Sequence, residues 1–111
     1  MEKQKENITF DDFLKLDVKI CKVIGAERVP KTDKLLKLTI ETGDGERTAV
    51  TNIGSQFEPE TLIGLRIPFV LNLEPVTMRG IESSAMILAS SDNSGDVNLL
   101  TSDAKLGSVV I

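Results

Sequence analysis

Apolar and polar residues alternate most cleanly at positions 36–41, where Leu36, Leu38 and Ile40 interleave with Lys37, Thr39 and Glu41. That is the two-residue period of a strand with one buried face. The Gly43-Asp44-Gly45 turn follows and predicts a return strand over positions 47–53. Positions 17–29 are also strand-like, but Val18 and Ile20 share one face while Val23 falls on the other. One extra residue near Cys21 and Lys22, a β-bulge, restores the inward direction and turns both Lys19 and Lys22 outward. Ahead of this strand, Thr9 with Asp12 three places later predicts a capped short helix carrying Phe10, Phe13 and Leu14 on one face.

In the second half, a glycine-bounded stretch at 54–64 with apolar Phe57, Leu62 and Ile63 predicts a short helix. A strand over 66–73 places Ile67, Phe69, Leu71 and Leu73 on one face, and Pro68 within it calls for an edge or a bulge. A polar corner then leads to a strand at 85–91, a turn at 92–96 and a brief strand at 97–100. Three strands, a short helix and two strands is the order of an OB barrel. The expected fold is all-β: a five-stranded OB-fold barrel with short helices and a C-terminal β extension. Positions 1–7 read as a polar tail and 8–111 as one domain, which suits a chain of 111 residues.

Composition narrows the chemistry. There is no histidine and a single cysteine, Cys21. The commonest general base is therefore missing, no thiolate metal cluster can form, and an internal disulfide is impossible. No acid–base pair or phosphate loop is evident, so an enzyme is disfavoured and no metal or other cofactor is expected. With no apolar run of about eighteen residues and a polar N-terminus, the protein is expected to be soluble and cytoplasmic, away from membranes. The net charge of −4 argues at first against a polyanionic partner. Its distribution argues the other way, since positions 15–37 carry +4 and the rest −8. In an OB barrel the first three strands commonly face nucleic acid, and the positive charge is concentrated there.

The run Asn72-Leu73-Glu74-Pro75-Val76-Thr77-Met78-Arg79-Gly80-Ile81-Glu82-Ser83-Ser84-Ala85-Met86, together with Asp33-Lys34-Leu35-Leu36, resembles the OB-fold tRNA-binding domain. That domain is found at the C-terminus of methionyl-tRNA synthetases, in free-standing tRNA-binding proteins and in the endothelial-monocyte-activating-polypeptide group. The resemblance runs from about Ile8 to the end. It implies a non-catalytic module that binds folded tRNA, usually as a homodimer, either alone or joined to a synthetase catalytic domain; no DNA partner is implied. On this resemblance, Lys34 is the first choice for a phosphate contact. Lys19 stands at the basic position of the opening strand Asp17-Val18-Lys19-Ile20-Cys21, where the family has a glycine in place of Cys21. Val50-Thr51-Asn52-Ile53 corresponds to a Val-Ser-Gly-Ile run: Thr51 keeps the hydroxyl, and Asn52 replaces glycine. A basic residue common at Thr77 is absent, and Arg79 is expected to do its work. The candidate RNA-binding set is Lys19, Lys22, Lys31, Lys34, Thr51, Asn72, Met78, Arg79 and Ser83.

Several of these residues have ordinary structural readings as well. Asn72 can satisfy backbone groups, Gly80 can supply a turn and Met86 can fill a core. The four aromatics, Phe10, Phe13, Phe57 and Phe69, all have apolar neighbours that imply burial. Recognition is then expected to use shape and phosphate in preference to base stacking. The competing function is a chaperone-like OB dimer holding polypeptides, for which an apolar groove beside Met78 and Met86 would speak.

Overall fold

The computed structural model describes residues 4–111; residues 1–3 of the expected polar tail lie outside them, and residues 4–7 are exposed coil. Helix α1 (Phe10–Leu14) begins where Thr9 Oγ1 accepts the Asp12 N–H at 3.0 Å, as the cap pattern predicts. Strands β1 (Val18–Arg28), β2 (Leu36–Glu41) and β3 (Glu46–Thr51) form an antiparallel meander, and a 3₁₀ turn at Pro59–Leu62 leads to β4 (Arg66–Val70). Then come β5 (Val76–Met78), β6 (Ile81–Ser83), β7 (Met86–Ile87), β8 (Ala89–Ser91) and β9 (Val97–Leu99). The main sheet runs β3-β2-β1-β4-β7 and curls into a half-barrel of the OB kind. Leu36, Leu38, Ile40, Leu62, Ile67 and Phe69 are fully buried within it.

Closure of the barrel falls to a few polar groups. Ser84 N–H donates to Thr48 O at 3.0 Å, and Val50 N–H donates to Ser83 Oγ at 3.0 Å. Ser83 Oγ–H in turn reaches Ala85 O at 3.1 Å, while Arg47 binds the carbonyls of Leu71 and Ser84. A buried hydroxyl thus replaces a rung of the ladder between β3 and the β6–β7 corner. Ser83→Ala is expected to cost about 1–3 kcal/mol by stranding the Val50 N–H. Urea denaturation would measure it, and an unchanged midpoint would refute this closing role.

Four expectations need correcting. The register shift in β1 lies between Val23 and Gly25, after both lysines, and the β1–β4 pairing is regular from Val18 to Lys22. Lys19 consequently shares the inward parity of Cys21 and Val23, whereas Lys22 is exposed on the opposite face. No inward reversal was needed, because both faces of this half of β1 are buried. The C-terminal segment also occupies its edge through Ile20 N–Ser108 O (2.9 Å) and Val110 N–Val18 O (2.8 Å). Second, the expected strand at 85–91 divides at Leu88, and β8 leaves the sheet to pair with β9. Third, the corner contains a tight hairpin, β5–β6, turning on Arg79 (φ 52°) and Gly80 (φ 80°). Two positive φ values in a two-residue loop match the twist of the flanking strands. Fourth, Phe10 and Phe13 are not buried: they are 72% and 43% exposed and stack on each other at 6.4 Å. A five-residue helix with no buried residue lies outside the barrel.

Pro68 sits inside β4 without breaking it. Its β1 partner Ile20 turns its N–H and C=O to the C-terminal segment, and on the other side Leu88, just past β7, donates to Pro68 O at 3.0 Å. The missing donor falls where β7 has ended.

Candidate nucleic-acid interface

The barrel separates the candidate residues into groups. β1 is eleven residues long, so Lys19 near its start and the loop after its end lie about 30 Å apart. At the first end, Lys19 pairs with Asp44 at 3.5 Å. Asn72 stands at the same end: Oδ1 accepts the Asp17 N–H at 2.8 Å and Nδ2 donates to Lys15 O at 2.6 Å, tying the exit of α1 to the exit of β4. Lys22 stands mid-strand, opposite Glu41 and Arg66. Ser83 is buried in the closure already described.

The other end gathers Lys31, Lys34, Thr51, Met78 and Arg79. Lys31 has φ 66° in the turn begun by Val29 and Pro30, where Thr32 N–H and Oγ1 both donate to Val29 O. The loop is held against the end of β3 by Gly54 N–H to Lys34 O at 2.7 Å, and Arg28 clamps the same spot through Gly54 O (2.8 Å) and Glu58 (3.2 Å). Leu35 then meets Thr51, Asn52, Met78 and Met86 around a groove of about 540 Å³. Met78 is half-buried there, whereas Met86 is 46% exposed and so fills no core. Within the hairpin, Met78 opposes Ile81 and Thr77 opposes Glu82, so Thr77 points to the other face.

Electrostatics sharpen this grouping. Of the seven bases at 15–37, four are engaged: Lys15 by Asp12 (3.2 Å), Lys19 by Asp44, Arg28 by Glu58, and Lys37 by Glu27 (3.8 Å). Three of those acids come from outside the segment, so the local +4 read along the chain is largely cancelled in space. Among the described residues, Lys22, Lys31, Lys34 and Arg79 form no ion pair. Lys31 and Arg79 are also the two non-glycine residues with positive φ among those described, a conformation costing about 1 kcal/mol or more. Cys21 is fully buried, and burial pushes its thiol up to about 11, which leaves it an inert core residue. Asn52 and Gly54 are not in the candidate set, yet Asn52 borders the groove and Gly54 anchors its loop.

Comparison with known proteins agrees with this architecture. The family model described as "Putative tRNA binding domain" matches residues 18–109. Methionine–tRNA ligase of Deinococcus radiodurans is 46% identical over 101 residues, covering 91% of this chain and 15% of the ligase. The chain therefore spans about one seventh of the curated relatives it matches. Among solved structures, a MetRS-related protein from Pyrococcus horikoshii superposes with TM-score 0.93 at 36% identity, covering 96% of this chain and all of that one. The chaperone CsaA of Bacillus anthracis gives 0.84 at 31%, with 96% and 100% covered. A match across nearly the whole barrel, including the loop and hairpin that frame the groove, places this chain in the tRNA-binding domain family.

Proposed function

We propose that this chain is a non-catalytic module that grips folded tRNA by shape and phosphate, through Lys31, Lys34 and Arg79 at the groove end of the barrel. The observation that supports the reading is that these three cations, gathered at one end of the barrel, form no ion pair among the described residues, whereas four of the seven bases at 15–37 are paired. Two of them are kept in the left-handed region, where glycine would be cheaper. Thr51 borders the same groove, and Met78 adds a flexible apolar contact. Lys19, Asn72 and Ser83 serve the barrel itself, and Lys22 adds long-range attraction. The module acts in the cytoplasm, free-standing or joined to a methionyl-tRNA synthetase whose affinity for tRNA it raises.

The deciding experiment titrates fluorescent folded tRNA, against an unstructured RNA of equal length, at roughly 50 and 200 mM salt. Tighter and steeply salt-sensitive binding to the folded tRNA is expected. Equal affinity for both RNAs, or none, would overturn the reading. The second reading, a holder of polypeptides, draws on the methionine-edged groove and on the likeness to a chaperone. A peptide bound in that groove without any tRNA affinity would establish it.

The homodimer also belongs to this proposal. Ile8, Phe10, Leu14 and Leu16 are exposed. Asn72 brings exposed Leu73 beside them, and the Val110–Val18 bond brings the exposed C-terminus to the same end. An apolar surface of this kind at one end suits a second copy and leaves two tRNA-facing ends free. Sedimentation velocity is expected to give a dimer that Leu14→Glu dissociates. A wild-type monomer at every concentration would rule the dimer out.

A further inference from the structure

The groove at the seam of the half-barrel has a character that phosphate contacts alone leave unexplained. Val50 and Ile53 form its floor, Leu35, Met78 and Met86 flank it, and no charged side chain lines it. Thioethers are polarisable and adapt to flat apolar partners. Asn52 borders the groove, exposed, with a carboxamide that the protein's own hydrogen bonds leave free among the described residues. An amide of this kind offers a donor and an acceptor side by side, the pattern that a base edge complements. Ion-pair-free cations stand next to lining residues on both sides, since Lys34 precedes Leu35 and Arg79 follows Met78. A polypeptide strand would use the apolar lining but has no need of the cations. An RNA strand uses both.

We propose that this groove receives one unstacked nucleobase of the bound RNA, its face against Met78 and Met86, its edge at Asn52, and its neighbouring phosphates at Lys34 and Arg79. The inference rests on the tRNA-binding reading and deepens it, turning a shape reader into one that also tests for an unpaired base. The opening of about 540 Å³ lies within the usual range of small-ligand sites and cannot admit a duplex. Folded RNAs present such bases in their loops, where a protein can read them without melting a helix.

Methionine-methyl NMR tests this directly. The chain has three methionines, Met1, Met78 and Met86, so carbon-13 methyl labelling gives two probes in the groove and one reference. Titration with a folded tRNA transcript is expected to move the Met78 and Met86 methyls upfield by the ring current of a stacked base while Met1 stays still. Asn52→Gly is expected to weaken tRNA binding about tenfold without changing its salt dependence. If tRNA binds with the expected salt sensitivity but neither methyl moves, the base pocket is refuted and the phosphate reading survives. If tRNA fails to bind at all, both fall. A methyl shift produced by an aromatic peptide and not by tRNA would hand the groove to a polypeptide.

Discussion

Gly54→Ala is expected to destabilise the fold by about 2–4 kcal/mol and to weaken tRNA binding, although residue 54 offers no side chain to the RNA. A Cβ built there lies 2.7 Å from Lys34 O, 3.0 Å from Lys34 C and 3.2 Å from Leu36 Cδ2. The first two are backbone atoms, which cannot rotate aside. Relief requires the loop carrying Lys31 and Lys34 to move off β3, breaking the 2.7 Å bond from Gly54 N–H to Lys34 O. Space, not a left-handed conformation, demands glycine here. Urea denaturation measures the first effect and tRNA titration of the folded protein the second. Leu62→Ala is the control, a fully buried residue whose truncation costs about 2–5 kcal/mol without touching the loop. Equal loss of tRNA affinity in both variants would mean that general destabilisation, and not the loop anchor, is responsible.

Replacing the three unpaired cations of the groove end, as Lys31→Asn, Lys34→Ala and Arg79→Asn together, is expected to lower tRNA affinity about a hundredfold or more at low salt. The slope of log affinity against log salt should fall by about 2 to 3 units, near one for each phosphate left without its cation. Asparagine at 31 and 79 keeps a side chain that tolerates the left-handed region, so stability should hold. Lys105→Ala removes an exposed lysine of the C-terminal segment and should change neither quantity. A slope unchanged by the triple variant would disprove the assigned interface. A large loss from Lys105→Ala would mean that the RNA lies against another face.

Much of the fold is legible along the chain because local rules agree with the final packing. β2 alternates strictly, and every second residue is buried as the period requires. The Thr9 cap forms as written because it needs only its own helical turn. The β5–β6 hairpin is absent from the predicted elements, yet its signal is present: a residue-glycine pair at 79–80 between short alternating runs. The break at Leu88 leaves no comparable mark, since β8 leaves the sheet only because β9 is there to receive it.

The candidate site divides in the same manner. Residue types and spacing were enough to identify the family and the all-β order, and to single out Lys34 and Arg79 as candidates, because motifs and turns are short-range properties of the chain. Which cations are free was a matter of three dimensions: Asp12, Asp44 and Glu58 neutralise lysines and an arginine of a segment to which none of them belongs. Barrel closure likewise took Ser83 inward and stretched β1 between Lys19 and Lys34. Charge interactions and burial depend on distance through space, and only the closed barrel sets those distances.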